Sequence, residues 1–508
     1  GTLSKYSERI LELMADAAIN PLLTEEEFNK EKDKLLEGLK ADKKSIDAIS
    51  NRVGSALSYG AKHPYGEYVT EETVNNVTFN DAVAFYETYF NPNNAYLVVI
   101  GDVDIKQIKK QVKKYFGDWK KSVEVSTSIV DVNPNVQYTQ INFVDLPNAS
   151  QSSISIKNSV DLKMGDEDYH ASLIANDILG SSFSGYLFQN LREDKGYTYG
   201  AGSSLRANRY GAGNFSAGAK VRNMVTDSAV VETMKEINRI RTETVDPQVL
   251  KDAKAKYVGN FIMGLESPQT VAGYALNIKL NNLPIDFYTT YLQKINAVTT
   301  DDVKRIANKY FKSENARIVI VGKGSDALEN LEKTGIPIKY FDHYANEVSK
   351  PEFTKPIPAG VTAQTVIDSY LTAIGGKDKV AAVNSILTTA AVTIEGAPFK
   401  PVAVMKNMAP NKMSVEMSIE GMGTIMKQAF NGETGYIEQQ GQKQPMPESM
   451  IESQKKSSLF DELTFSDKAI SLESLSSIDG KDVYKIKVDN AGEVSYRFYS
   501  AADGLLVR

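Results

Sequence analysis

The residues best suited to chemistry are an arginine and a tyrosine, Arg192 and Tyr199, within the segment from Gly180 to Gly200. A guanidinium offers a planar fork of hydrogen-bond donors to a carbonyl or a carboxylate group. A tyrosine hydroxyl can donate a hydrogen bond to an oxyanion as it develops. Structural roles would also explain the two residues, because arginine favours helix C-termini and tyrosines in strands usually pack against neighbours.

A helix and a strand must position this pair. The apolar pattern predicts a short helix from about Gly185 to Leu191, which Gly196 brings to an end. An alternating strand then begins at Tyr197. Arg192 therefore lies at the helix exit and Tyr199 at the strand entrance, so the two side chains can converge on one cleft.

The sequence contains few histidines that could bind a metal ion and no residue that could supply a thiol. The chain has no cysteine, which excludes disulfides, thiolate metal sites and a cysteine nucleophile. Its three histidines, His63, His170 and His343, lie far apart in sequence, so no two have the helical spacing of a metal-binding pair. His63 precedes a proline in a loop, where local hydrogen bonds explain it better than a ligand role.

Composition narrows the class of protein. The chain has 508 residues, of which 42% are hydrophobic, so ordinary soluble cores can form. With 58 basic and 64 acidic residues its net charge is −6, which argues against a nucleic-acid binder that relies on positive charge. No apolar run approaches the roughly 20 residues of a membrane span. The chain opens at Gly1 with an apolar helix and no strand before it, so we expect the natural protein to continue upstream.

An internal repeat sets the architecture. Tyr89-Phe90, Asn94-Ala95 and Val98–Gly101 have counterparts 221 positions later, in Tyr310-Phe311, Asn315-Ala316 and Val319–Gly322. Each copy reads as an amphipathic helix, a loop and a buried strand that ends in glycine. The repeat predicts two duplicated α+β domains, each an antiparallel sheet with helices, over residues 1–125 (N-terminally truncated) and 135–345.

A proline-marked linker, residues 349–360, precedes a third domain over residues 361–508. After a helix from Ala363 to Ile374, alternating strands dominate, with turns at Asn431-Gly432, Asp479-Gly480 and Asp503-Gly504. Its crowded methionines loosely resemble the half-barrel of outer-membrane lipoprotein carriers, although a plain core that uses methionine as filler is the simpler interpretation. We expect a β-rich, half-barrel-like domain, with a binding or docking role as one option.

The segment Leu191–Tyr199, the repeat and His63-Pro64-Tyr65-Gly66 together resemble the pitrilysin/insulinase family of zinc metallopeptidases, peptidase family M16, over about residues 1–345. The resemblance implies that Arg192 and Tyr199 bind the substrate backbone and help to stabilise the tetrahedral intermediate. It also implies an inverted His-x-x-Glu-His zinc motif, which this sequence does not contain.

The family's third zinc ligand can be tested within this chain. The family pattern has a glutamate followed by the ligand glutamate seven positions later. Glu31 matches the opening, but Gly38 occupies the ligand position and supplies no ligand atom. Glu37 is adjacent, yet one residue along a helix turns its side chain by about 100°. We therefore expect Glu31 and Glu37 to be ordinary charged residues of a solvated helix, and no metal or catalytic residue in this chain.

Three functions remain open. The leading hypothesis is a non-catalytic subunit that binds an extended peptide and completes the active site of a zinc-bearing homologous partner or a second copy; zinc is expected only in that partner. The alternatives are a complete zinc metalloendopeptidase whose motif lies upstream, and an envelope protein that binds or scaffolds through a degenerate peptidase fold. Whether the chain is itself an enzyme stays open. The absence of cysteine and the carrier-like third domain suggest a bacterial cell envelope, on the periplasmic side.

Overall fold

The computed structural model describes residues 1–125, 131–353, 355–392, 400–439, 441–466, 468–478, 481–490 and 493–508. The chain forms two compact units, Gly1–Pro351 and Glu352–Arg508, and the division falls within the predicted linker. Both units combine helices with sheets, so the predicted α+β class is confirmed.

Unit 1 begins with helices. They are α1 (Ser7–Ile19), α2 (Glu25–Asp42), α3 (Ile46–Tyr59), α4 (Glu71–Asn76), α5 (Phe79–Tyr89) and α6 (Ile105–Phe116). Side-chain caps define several of their starts: the Thr24 and Ser45 oxygens accept hydrogen bonds from backbone N–H groups three residues on, at the beginnings of α2 and α3.

The rest of unit 1 alternates strands and helices. In chain order these are β1 (Gln140–Asp145), β2 (Gln151–Val160), α7 (Tyr169–Asn176), α8 (Tyr186–Phe188), β3 (Ala201–Arg206), β4 (Gly213–Arg222), α9 (Thr226–Thr242), α10 (Pro247–Gly264), α11 (Pro268–Leu280), α12 (Tyr291–Ala297), α13 (Thr300–Tyr310), β5 (Arg317–Gly322), α14 (Gly324–Lys333), β6 (Ile338–Phe341) and β7 (Glu347–Val348). The seven strands form one sheet in the order β3-β4-β2-β5-β1-β6-β7. The sheet is mixed rather than purely antiparallel, because β1 runs parallel to both β5 and β6.

Helix α3 belongs to the first repeat, yet it packs on the sheet of the second. Its Ile49 and Val53 are fully buried against a cluster from β1, β5 and neighbouring segments that includes Val144, Val319 and Val321. The two repeats therefore share one core inside unit 1.

The predicted strand from Leu97 to Gly101 is not formed. Residues 95–100 have no regular secondary structure, and Leu97, Val98, Val99 and Ile100 are each at least 40% exposed. The physical reason is a missing neighbour: a strand needs hydrogen-bonding partners, and the described part of residues 1–125 contains no other strand.

Unit 2 holds two antiparallel sheets, which are not closed into a barrel. Its elements are α15 (Ala363–Ala373), α16 (Lys377–Ala381), β8 (Ser385–Ala391), β9 (Val402–Met408), β10 (Lys412–Ile419), β11 (Gly423–Phe430), β12 (Gly435–Gln439), β13 (Gln442–Pro445), α17 (Glu448–Lys456), β14 (Ile470–Ile478), β15 (Lys481–Asn490) and β16 (Glu493–Ser500). Strands β8 to β13 form a six-stranded meander, and β14 to β16 form a three-stranded sheet. Helix α15 packs on the smaller sheet through Ile367 and Leu371, against Ile486 and Tyr499.

The turn predictions hold where they can be examined. Gly432 and Gly504 adopt φ angles of 109° and 75°, conformations that favour glycine. The predicted turn at Asp479-Gly480 lies outside the described residues. In the part of the chain that the structure describes, none of the helices has the length and apolarity needed to cross a membrane.

Candidate functional site: the Arg192–Tyr199 chain reversal

Two π-helical turns frame the segment that carries the predicted pair. Helix α7 runs into one such turn at Asp177–Ser181, and α8 runs into another at Gln189–Asp194. Glycines let the intervening loop lie against β3, since a Cβ on Gly180 would come within 2.8 Å of the Ser203 backbone nitrogen. Inserted π turns often occur at functional sites. Their presence here makes this segment a candidate functional site.

Arg192 keeps its guanidinium largely unengaged. Its Cζ lies 4.8 Å from the centre of the Phe188 ring, and its Nε is 3.7 Å from the carboxylate of exposed Glu193. Among the described residues this is its only ion pair, and an exposed pair contributes at most about 1 kcal/mol. The Arg192 side chain is 44% exposed. The planar fork of donors is therefore available to a ligand.

Tyr199 lies in the loop before β3 and is 88% exposed. The predicted strand start at Tyr197 is wrong, because β3 begins only at Ala201. Thr198 accounts for the delay: its hydroxyl accepts a hydrogen bond from the Gly200 nitrogen at 3.1 Å and donates to the Lys220 carbonyl at 2.6 Å. These contacts hold a local turn in place of a strand.

A chain reversal brings the helix exit close to the strand entrance. Gly196 has a φ angle of 62°, and its N–H donates to the Arg192 carbonyl at 3.1 Å. The Tyr197 N–H donates to the Leu191 carbonyl at 2.9 Å. Arg192 and Tyr199 thus stand on the two arms of one tight reversal, and both side chains are exposed.

The zinc position predicted from the resemblance lies on α2. Glu37 pairs with Lys40 at 2.7 Å, Glu31 pairs with Lys34, and all these side chains are well exposed. Nothing lies within 4 Å of a Cβ built on Gly38. Across the described residues, no three histidine, aspartate or glutamate side chains are placed to hold a metal ion. The residues present do not fit a zinc site.

The three histidines lie in three different environments. His63 is buried, and its Nδ1 accepts a hydrogen bond from the Tyr65 nitrogen at 3.0 Å, so local contacts satisfy it. His170 lies among aromatic rings such as Phe287, and burial lowers its pKa to about 4. His343 Nε2 is 3.4 Å from the Asp145 carbonyl. None of them is brought to Arg192 or Tyr199 by these contacts.

A cleft of about 370 Å³ lies between α3 and the strands β2, β4 and β3, and the sequence interpretation missed it. Six of its residues are small and alternate along their strands: Ser153 and Ser155, Gly202 and Ser204, and Ser216 and Gly218. Alternation places each pair on one face of its strand. This serine and glycine alternation is the signal that could have identified the cleft, because it leaves one face of a sheet without bulk.

A comparison with known families gives one match. Residues 76–257 match the sequence model of the peptidase M16 inactive domain. The matched range includes Arg192 and Tyr199, the cleft strands β2, β3 and β4, and most of α10.

Curated relatives resemble a longer stretch. The chain is 24% identical over 332 residues to an uncharacterized zinc protease, YmxG, of Bacillus subtilis, covering 64% of this chain and 77% of that protein. It is 24% identical over 330 residues to the zinc protease PqqE of Helicobacter pylori, covering 62% of this chain and 71% of that protein. A probable inactive metalloprotease of B. subtilis, YmfF, is 24% identical over 256 residues, covering 48% of this chain and 57% of that protein.

Solved structures share the fold of the same region. A peptidase M16 inactive domain from Pseudomonas fluorescens superposes with a TM-score of 0.55 at 20% identity, covering 62% of this chain and 74% of that chain. A protease from H. pylori superposes with a TM-score of 0.56 at 23% identity, covering 63% of this chain and 78% of that chain.

Proposed function

We propose that the first unit of this chain, which matches the peptidase M16 inactive domain over residues 76–257, serves as a non-catalytic, peptide-binding subunit of an M16 peptidase. In this role it supplies Arg192 and Tyr199 to the active site of a zinc-bearing homologous partner, or of a second copy. Arg192 would hold a peptide carbonyl, and the Tyr199 hydroxyl would donate to the oxyanion of the tetrahedral intermediate.

The availability of the Arg192 fork carries the proposal. Arginine–carboxylate pairs are strong and frequently bidentate, whereas among the described residues Arg192 has one ion pair, with exposed Glu193 at 3.7 Å. Tyr199, with most of its surface in solvent, contributes little packing that would explain it otherwise. Both features are typical of side chains that bind a ligand.

The strand after Tyr199 offers a place for the peptide. Strand β3 lies at the end of the seven-stranded sheet, so one of its edges is not paired within that sheet. An extended peptide can add to such an edge through backbone hydrogen bonds, which give affinity without strong sequence preference. A peptide on β3 would begin beside the chain reversal that carries both proposed binding residues.

In this proposal zinc comes from the partner. Gly38 provides no ligand atom, and Glu31 and Glu37 are exposed and paired with lysines. The likeness to a probable inactive metalloprotease fits this division of labour, whereas the likeness to zinc proteases favours the alternative of a complete zinc endopeptidase. Metal content and peptide hydrolysis of the full-length protein, alone and with its homologous partner, separate the two.

Substitution of the pair tests the proposal directly. Tyr199→Phe removes only a hydroxyl, so turnover by the assembled peptidase should fall by about 10²–10³, the usual cost of one oxyanion donor, with stability unchanged. Arg192→Lys should also impair turnover, since a point charge does not replace a planar fork. Tyr210→Phe, in the loop after β3, is the matched control. Full activity in both Tyr199→Phe and Arg192→Lys would refute the proposal.

A second candidate function concerns unit 2, where one face of the six-stranded sheet is mostly apolar, although Asn407, Gln428 and Gln439 also lie on it. Cross-strand register places these side chains together: Ala403, Met405, Met413, Val415, Met417, Met426, Phe430 and Ile437. The opposite face carries Lys406, Glu416 and Lys427. Most of the apolar set is half-buried, and methionine adapts to flexible apolar ligands. This face favours binding of an acyl chain, in keeping with the predicted envelope location.

Mass spectrometry of lipids extracted from the purified chain tests this second function. Met417→Lys should abolish any bound acyl chain, because it places a charge on the apolar face. Val404→Lys, on the opposite face of the neighbouring strand, should leave binding unchanged. A chain without bound or exchangeable acyl groups would refute the function.

A further inference from the structure

One row of side chains crosses the face of the unit 1 sheet that α3 covers. Residues in register on neighbouring strands lie on the same face, and the pairs are Gln140 with Arg317, Arg317 with Lys157, Lys157 with Ser216, and Ser216 with Ser204. Two cations, Lys157 and Arg317, are thus direct neighbours on β2 and β5. Like charges placed opposite each other in a sheet are destabilising.

No carboxylate of the described residues compensates this pair. Within the described residues, neither Lys157 nor Arg317 has an ion pair or a side-chain hydrogen bond. Other lysines of the sheet do have partners: Lys220 on β4 pairs with Asp47 at 2.9 Å, and Lys339 on β6 pairs with Glu347 at 3.2 Å. Burial lowers the pKa of Lys157 and of Arg317, because the charged forms lose hydration. The fold therefore holds two adjacent, partly desolvated cations that lack a counter-ion.

Helix α3 leaves room for the Lys157 ammonium. A Cβ on Gly54 would lie 2.5 Å from Lys157 Nζ and 3.2 Å from its Cε, too close for an alanine without movement of the lysine. A glycine inside a helix is less favourable than an alanine, because its backbone loses more conformational freedom. Gly54 thus explains how the ammonium fits beneath the helix, at a cost in helix stability.

The cleft between α3 and the strands lies next to this position, although neither Lys157 nor Arg317 is among its lining residues. Ser50 and Asn51, which line the cleft, lie one helical turn before Gly54, and Ser216 of the cleft floor pairs directly with Lys157. The other end is marked by Asp47, whose carboxylate is already paired with Lys220. The floor of serines and glycines lets a backbone approach closely, and the volume of about 370 Å³ suits a few residues of peptide.

We propose that Lys157 and Arg317 bind a carboxylate of a peptide that lies in this cleft, either its C-terminal carboxylate or an acidic side chain. The inference rests on the proposed peptide-binding function and adds a substrate class to it: peptides with a negative charge at one defined point. An ammonium beside a guanidinium supplies both charge and directed donors to the two carboxylate oxygens.

Binding of matched peptides to the full chain tests the inference. One fluorescent peptide carries a glutamate and a free C-terminus; its counterparts carry glutamine at that position or a C-terminal amide. The fully acidic peptide should bind about tenfold more tightly than at least one counterpart, the gain expected of one charge-assisted hydrogen bond. The counterpart that binds weakly identifies the carboxylate. Equal affinity for all three would overturn the inference.

Variants tie that preference to the two cations. Lys157→Met should abolish the preference for the acidic peptide while thermal stability holds or rises, because a buried unpaired charge is removed. Arg317→Met should also reduce it. Lys339→Met, whose lysine is ion-paired on the same sheet, is the control and should keep the preference. A Lys157→Met chain that retains it would overturn the inference.

The Arg192→Lys variant and the wild-type chain together distinguish failure of the carboxylate site from failure of the proposed function. Arg192→Lys should weaken all the peptides alike and leave the preference intact. A wild-type chain that binds the peptides equally refutes only the carboxylate site. A wild-type chain that binds none of them refutes the proposed function and the inference together.

Discussion

The two copies of the repeat behave differently although their sequences match. In both copies a threonine caps a helix: Thr78 begins α5 and Thr299 begins α13, each in a reciprocal capping box with an aspartate three residues on. The two helices have the same length and end at equivalent phenylalanines, Phe90 and Phe311. The signals for a helix lie within one short segment, so both copies obey them.

The strands that follow diverge. In the second copy β5 lies between β2 and β1, and its Val319 is fully buried. In the first copy the equivalent residue, Val98, is 42% exposed and lies in no strand. A strand therefore depends on neighbouring strands for its hydrogen bonds and side-chain contacts, whereas a capped helix depends mainly on residues within its own segment.

The largest expected effect comes from a charge at the equivalent strand positions. Val319→Asp buries an unpaired carboxyl in the sheet and should cost more than about 4 kcal/mol in the free energy of unfolding of unit 1. Val98→Asp, at an exposed position, should change it by less than about 0.5 kcal/mol. Denaturation followed by fluorescence of Trp119, the only tryptophan, measures both. Equal losses would show that residues 97–101 are as deeply packed as β5.

A second contrast lies in how the two helices are anchored. The buried carboxylate of Asp168 accepts hydrogen bonds from Arg305, Lys309 and Tyr310 of α13, at 2.5, 2.7 and 3.0 Å. The equivalent residues of α5 are Ala84, Thr88 and Tyr89, so that helix lacks the anchor. Asp168→Ala should cost about 2 kcal/mol in the free energy of unfolding.

This cost is below that of a fully buried pair because Arg305 and Lys309 are half exposed. Asp301→Ala, at an exposed position on the same helix, is the control and should change stability little. A loss for Asp168→Ala no larger than for Asp301→Ala would mean that the anchor contributes nothing.

The same anchor predicts a pH dependence. Burial alone would raise the pKa of Asp168, but hydrogen bonds from Lys309, Arg305 and Tyr310 outweigh it and lower the pKa to about 2. A depressed folded pKa stabilises the fold above the unfolded pKa near 4, and the stabilisation is lost as the pH falls towards 2. The stability difference between wild type and Asp168→Ala should therefore shrink over this range. A difference that stays constant from pH 5 to pH 2 would contradict the assignment.

The smallest expected effect concerns the caps. Thr78→Ala and Thr299→Ala should each cost about 1 kcal/mol locally, since each removes one capping hydrogen bond. Hydrogen exchange should report the first loss mainly in α5, which has no buried residue, whereas the second should also lower the global stability, because Val303 and Ile306 of α13 are in the core. Identical exchange behaviour in both variants would erase the contrast between the copies.

The same distinction explains what sequence reasoning achieved. Helices, caps and the glycine turns at Gly196, Gly375 and Gly376 follow from local chemistry, and the α+β class follows from their alternation with strands. The delayed start of β3 depends on a hydrogen bond from Thr198 to Lys220 across the sheet, which spacing does not reveal.

The candidate binding residues differ in the same way, because some are close in sequence and others meet only in the fold. Arg192 and Tyr199 could be proposed from one contiguous segment, and their roles stay a prediction. The Lys157–Arg317 pair could not, because its members are far apart in sequence and meet only through strand pairing. Gly54 is also far from both in sequence, and its role can be recognised only when α3 lies over Lys157.

The packing of α3 on the second repeat has an evolutionary consequence. A helix encoded by the first copy completes a core built by the second, so a change at Ile49 or Val53 alters the packing of Val144 and Val319. Once a duplicated gene has reached this state, recombination that swaps one copy for a divergent homologue breaks a shared core. The two copies then depend on each other for packing, so each keeps its place in the fold only while the other is present.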